Sequence, residues 1–174
     1  MRKLFLMIIT TLALIIPVSA MASSTDKDDN AAKAKVTALV EKYSKRDGFE
    51  STKFGSVATS AMRSMMKLGA KSQDPKSKKT MKVFDGVKSF VILQYEDCSS
   101  SSLAVFEREF RSAVSGYDVL FEAKDGGDKT TVYALINEKK SVVTQFILQA
   151  EKTLIIMDGS IDLKTLVEAT QQIK

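Results

Sequence analysis

The sequence predicts an α+β domain: a two-layer sandwich with a mainly antiparallel sheet of about five strands and amphipathic helices packed on one face. Three observations carry this. Four strand-like segments follow one another between residues 118 and 157, joined by turns too short for the crossover that parallel pairing needs. Two helical segments, starting near Ala31 and Ser102, carry apolar residues at three- and four-residue spacing. Glycine and aspartate punctuate nearly every boundary between the segments.

The chain divides into residues 1–22 as a secretory signal peptide, 23–30 as a flexible leader and 31–174 as a single α+β domain. Arg2 and Lys3 form a cationic start, Leu4 to Ile16 an apolar run of about thirteen residues, and Pro17 to Ala22 a helix break with small residues. Cleavage fits after Ala20 or after Ala22. The run is shorter than the roughly twenty residues that span a bilayer as a helix. No cysteine lies near it, so lipid attachment through a thioether has no nucleophile. The expected location is therefore periplasmic or secreted.

The first helix is expected over Ala31 to Lys45, with Val36, Leu39, Val40 and Tyr43 as its stripe, stopped by Asp47-Gly48. Phe49 to Phe54 reads as a short strand. Ser56 opens a second helix with Val57, Ala61, Met62, Met65 and Leu68 on its inward side, ended by Gly69. Lys71 to Lys79 is a polar, lysine-rich loop. Met81 to Tyr95 holds a strand that is apolar on both faces, which predicts a central position.

A turn from Asp97 to Ser102 leads to a third helix over Ser102 to Ser115. Its stripe of Leu103, Phe106, Phe110, Ala113, Val114 and Tyr117 is the clearest in the chain. Strands follow at Asp118–Ala123, Thr130–Ile136, Ser141–Gln149 and Thr153–Met157. The connections are the Asp125-Gly126-Gly127-Asp128 hairpin, a turn over Asn137 to Lys140, and Glu151-Lys152. Asp158-Gly159, with Ser160 or Asp162 as N-cap, opens a final helix burying Leu163, Leu166 and Val167.

Composition narrows the function more than any motif does. There is no histidine among the 174 residues. Serine and cysteine nucleophile mechanisms lose their usual base, and histidine-based zinc or iron sites lose their ligand. No cofactor is implied. The net charge of +5 includes two of the 26 basic residues, and none of the 21 acidic ones, in the signal segment; 24 against 21 leave +3. That small, dispersed excess does not point to nucleic acid. Cys98 stands alone, so no intramolecular disulfide forms, and a buried position at a strand end suits it.

Five clusters invite chemistry, and each has a plainer explanation. Met62, Met65 and Met66 have the spacing of a thioether site for Cu(I), but Met62 and Met65 sit on the inward stripe, where methionine fills cores. Asp125 and Asp128 lack the further oxygens that calcium needs, and a hairpin accounts for both glycines. Asp85, Glu96 and Asp97 lie around the ends of the presumed central strand and could serve a carboxylate-dependent hydrolase, but with no tryptophan and no aromatic cluster for sugar stacking they read as solvated loop acids. Ser99 to Ser102 lack the glycines of a phosphate loop and serve as turn and N-cap. Lys76, Lys78, Lys79 and Lys82 form a basic patch on a solvated loop.

The chain resembles an exported Bacteroidetes family known as domain of unknown function 4252. The resemblance lies in Lys45-Arg46-Asp47-Gly48-Phe49, the methionine-rich helix, Val87-Lys-Ser-Phe-Val-Ile-Leu93, Tyr117-Asp-Val-Leu-Phe121 with its Asp-Gly-Gly turn, and Leu154-Ile-Ile-Met-Asp-Gly-Ser-Ile-Asp-Leu163. It implies an envelope protein of small α+β fold with no assigned activity, and it supplies no functional residues. The expected function is a non-enzymatic binding or interaction module of the cell envelope, monomeric or weakly dimeric, whose partner is an envelope protein or a small ligand. The alternatives are the carboxylate hydrolase and a methionine-based copper or envelope-stress protein.

Overall fold

The computed structural model describes residues 26–61, 64, 85–125 and 128–165. The signal segment, Met62, Met65, Met66, Met81, the lysine patch, Leu166 and Val167 lie outside these residues. The elements in chain order are α1 (Asp26–Tyr43), β1 (Glu50–Phe54), β2 (Val87–Gln94), α2 (Ser100–Ala113), β3 (Asp118–Asp125), β4 (Asp128–Asn137), β5 (Val142–Ala150) and β6 (Thr153–Asp162). A helical stretch over 56–61 follows β1, and a 3-10 turn over Glu138–Lys140 joins β4 to β5.

The strands form one open sheet of six, in the order β1-β2-β6-β5-β4-β3, with every pairing antiparallel. The expected meander is β3 to β6, and the count is six because β1 and β2 both join the same sheet. β2 lies between β1 and β6, one place in from the edge, so the centre belongs to β5 and β6.

One sheet face is covered by α1 and α2. Val36, Leu39, Val40 and Tyr43 of α1 and Phe106, Phe110 and Ala113 of α2 are buried against Leu93, Leu135, Ile147, Leu154 and Ile156 of the strands. Alternation along each strand explains the set, since residues two apart share a face. At about 25 cal/mol per Å² of apolar area, each such side chain contributes roughly 1.5–3 kcal/mol. An aromatic chain runs through this layer: Tyr43 to Phe106 at 4.9 Å, Tyr95 to Phe106 at 4.8 Å and Phe110 to Tyr133 at 5.6 Å between ring centroids.

The opposite face is apolar too, with Val132, Ala134, Phe146 and Leu148 buried in a second cluster. Val87 belongs to this cluster and not to the face of Val91 and Leu93, because a bulge between Val87 and Ser89 reverses the parity.

Several boundaries differ from expectation. Residues 26–30, expected within a flexible leader, form the first turns of α1, because Asp29 is 4% exposed and accepts a hydrogen bond from Asn137. The second helical segment turns Val57 outward, 84% exposed, and Ala61 is also exposed. Thr59 is buried in their place, its hydroxyl donating to the carbonyls of Phe54 and Gly55. β6 continues through Asp158-Gly159-Ser160 to Asp162, where the sequence predicts a strand ending at Met157 and the opening of the final helix. Asp162 is the cap, its carboxylate accepting from the Thr165 amide at 2.9 Å, so Ser160 has no capping role. Ser99 caps α2 by accepting from the Ser102 amide.

Candidate functional site

The helix-covered face is apolar at its centre and polar at both ends. Along β4 the inward positions read Leu135, Tyr133, Thr131, Lys129; along β5 they read Ile147, Gln149, Glu151. Because the strands are antiparallel with Tyr133 opposite Ile147 and Thr131 opposite Gln149, both gradients descend toward the same end of the sheet. In the other direction Leu135 and Ile147 give way to Asn137 and Gln145.

That second end is closed by satisfied hydrogen bonds. The Tyr117 hydroxyl donates to Gln145 Oε1, Gln145 Nε2 donates to Asp158 Oδ1 at 2.7 Å, and Asn137 Nδ2 donates to Asp29 Oδ2 at 2.7 Å. Burial holds the Tyr117 hydroxyl far above its ordinary range, and the charges of Asp158 and Asp29 push it further. This end is a buried polar network that fixes α1 to the sheet.

The first end is open. A cavity of about 920 Å³ lies there between α2, the β2–α2 loop, β4 and the β5–β6 turn. Its apolar wall is Leu103 and Phe110 from α2 with Tyr133 from β4, and Phe110 meets Tyr133 edge to face at an interplanar angle of 84°. The Tyr133 hydroxyl donates to Gln149 Oε1 over a long 3.5 Å. Tyr95 stands beside the same amide; burial pushes its hydroxyl up to about 12, against the opposing effect of the Gln149 hydrogen bond. Thr131, 1% exposed on the same strand face, has a hydroxyl with no hydrogen-bond partner.

Charged groups rim the cavity. Glu96 and Asp97 come from the β2–α2 loop, Glu107 and Arg111 from α2, Lys129 from β4, and Glu151 and Lys152 from the β5–β6 turn. The loop and turn are tied together: Lys152 Nζ donates to the Glu96 carbonyl at 3.0 Å, and the Tyr95 amide donates to the Lys152 carbonyl at 3.0 Å. Glu151 holds φ at +49°, the left-handed conformation that makes the turn tight. Gly48 supports the loop from below at φ +78°. A Cβ there would stand 2.6 Å from the Asp97 carbonyl oxygen, so only glycine permits the approach. Cys98, partly buried just beyond the β2 end, donates from Sγ to the Tyr95 carbonyl at 3.0 Å.

The sequence candidates separate in space. Glu96 and Asp97 line the cavity, whereas Asp85 precedes Gly86 at the far end of β2, on the order of 25–30 Å away at 3.3 Å per residue. Asp85 is therefore removed from any carboxylate pair with them. Asp125 and Asp128 pair across the hairpin as backbone partners. Among the described residues no group of three or more acids or cysteines is placed to hold a metal ion, and no helix is long and apolar enough to cross a membrane. The lining from Glu107, Arg111, Tyr133, Gln149 and Lys152 was not anticipated. The available signal was polarity on inward strand positions.

No curated protein and no solved structure matches the chain significantly. A family model described as a domain of unknown function, DUF4252, matches residues 43–169, a stretch that contains every residue lining the cavity and leaves most of α1 outside. On that match the chain belongs to the DUF4252 family.

Proposed function

We propose that this chain is an exported, non-enzymatic binding domain whose open cavity receives an extended segment of a partner polypeptide. The observation that carries the reading is the contrast between the two ends of the helix-covered face. One end pairs its buried polar groups. The other opens into a cavity of about 920 Å³ whose lining includes Tyr133, held to Gln149 only by a 3.5 Å bond. Binding sites combine an apolar wall with a few convergent polar groups in this way, and a volume near the upper end for small-molecule pockets suits a run of several residues.

Composition disfavours catalysis. With no histidine, proton transfer near neutral pH falls to carboxylates, lysine or tyrosine. Tyr95 at about 12 is far from neutrality. Export rests on residues 1–22, and mass analysis of chain recovered outside the cytoplasm tests it: the mature product should begin at Met21 or Ser23.

The binding reading is tested by probing an array of immobilised decapeptides of varied sequence with the purified chain and with its Tyr133→Ala variant. A subset of peptides should retain the chain and fail to retain the variant. Equal retention of both proteins, or of neither, would overturn the reading.

A further inference from the structure

Resting on that reading of the cavity, we infer that its ligand is a basic peptide segment, with lysine or arginine side chains spaced along an extended backbone. The charges of the rim carry this. Glu96, Asp97, Glu107 and Glu151 all line the cavity, and among the described residues none of the four forms an ion pair. Of the three cations, Lys129 is neutralised by Glu122 at 2.8 Å and Lys152 is held at the Glu96 carbonyl at 3.0 Å. The lining therefore holds four carboxylates without an ion pair against three cations, one of them paired outside the lining, in a chain whose overall charge is +5. The rim is acidic against the sign of the whole molecule. That local field attracts cations and repels acidic ligands.

The carboxylates are distributed and not convergent, coming from a loop, a helix and a tight turn, and no group of them is placed to hold a metal ion. Separated anions match separated cations. Alternate side chains of an extended peptide fall on one side about 7 Å apart, so successive basic residues meet successive rim acids. Their aliphatic stems then lie on Leu103, Phe110 and the Tyr133 ring, which takes both apolar and cationic groups. The floor offers what a peptide backbone needs. Gln149 brings an amide whose oxygen accepts only a long 3.5 Å bond from Tyr133. A peptide amide satisfies it, and Arg111, also in the lining, remains available to a ligand carbonyl or terminal carboxylate.

The test is a fluorescence-anisotropy titration of the purified chain with three labelled, acetylated octapeptides of alternating pattern: Lys-Ala, Ser-Ala and Glu-Ala. The Lys-Ala peptide should bind saturably, at least tenfold more tightly than Ser-Ala, with Glu-Ala weakest. Glu107→Gln with Glu151→Gln, both on solvent-facing rims, should weaken Lys-Ala binding about tenfold while leaving the melting temperature unchanged. Equal affinity for Lys-Ala and Ser-Ala, both lost in Tyr133→Ala, would overturn the charge preference and leave the binding site standing. Lys-Ala binding that the double variant does not weaken would place the contact elsewhere and overturn the inference. Binding of none of the three would remove the inference together with the reading on which it rests.

Discussion

Asn137 and Asp29, 108 residues apart, share a buried hydrogen bond of 2.7 Å that fastens the start of α1 to the end of β4. Asn137 does two jobs at once, because its Oδ1 also accepts from the Lys140 amide at 3.1 Å and shapes the turn into β5. Removing either partner leaves the other buried with a lost bond, at a cost of about 1–3 kcal/mol. Asn137→Ala and Asp29→Ala should therefore each destabilise the fold by about that much. Chemical denaturation of the two variants measures the losses, and an unchanged midpoint for either would show that the bond contributes nothing.

Gly86 and Gly159 face one another where β2 meets β6, and Ser160 donates its amide to the Gly86 carbonyl at 2.9 Å. A Cβ on Gly159 would collide with the Gly86 carbonyl oxygen, and one on Gly86 with that of Ser160. Backbone atoms cannot rotate away, so Gly159→Ala should cost about 1–3 kcal/mol. Gly55→Ala is the control, because a Cβ there meets nothing within 4 Å. Thermal melts of both variants should show a large loss for the first and almost none for the second.

Two acids should give opposite pH signatures. The hydrogen bond from Lys42 holds the Glu109 carboxyl below the usual range. Its contribution is present above the unfolded value of about 4.3 and is lost as pH falls through the lower folded one. The pair is a surface one, so Glu109→Gln should lower the melting temperature by only about 1–4 °C at neutral pH, and by nothing in stronger acid. Burial pushes Asp118 up. The folded state then holds its proton more tightly than the unfolded chain, and stability falls as pH rises above about 3.9. Asp118→Asn should raise the melting temperature at neutral pH and give no gain near pH 3. The same sign for both variants would contradict the assignment.

The layers were legible in the sequence wherever one periodicity ruled a segment. The α2 stripe of Phe106, Phe110, Ala113 and Val114 is buried as its spacing predicts, and the β3–β6 meander follows from turns too short to cross over. Legibility failed where a local hydrogen bond outweighed periodicity. Thr59 turns inward because its hydroxyl reaches two carbonyls, leaving Val57 outside. Asp29 reads as part of a polar leader until Asn137 is placed beside it. Of the cavity's eleven lining residues, Glu96 and Asp97 were visible as candidates. The remainder depends on register, since nothing short of the Thr131–Gln149 pairing shows that polar inward positions on two strands fall at the same end.

The central claim is that the open end of the helix-covered face binds a peptide, and amide chemical-shift mapping tests it most directly. Titrating the isotope-labelled chain with the Lys-Ala octapeptide should move the amides of Asp97, Glu107, Arg111, Thr131, Tyr133 and Gln149 in one saturable transition. The amides of Asp29, Asn137 and Gln145, at the closed end, should stay in place. Shifts concentrated at the closed end, or spread evenly over the sheet, would contradict the account.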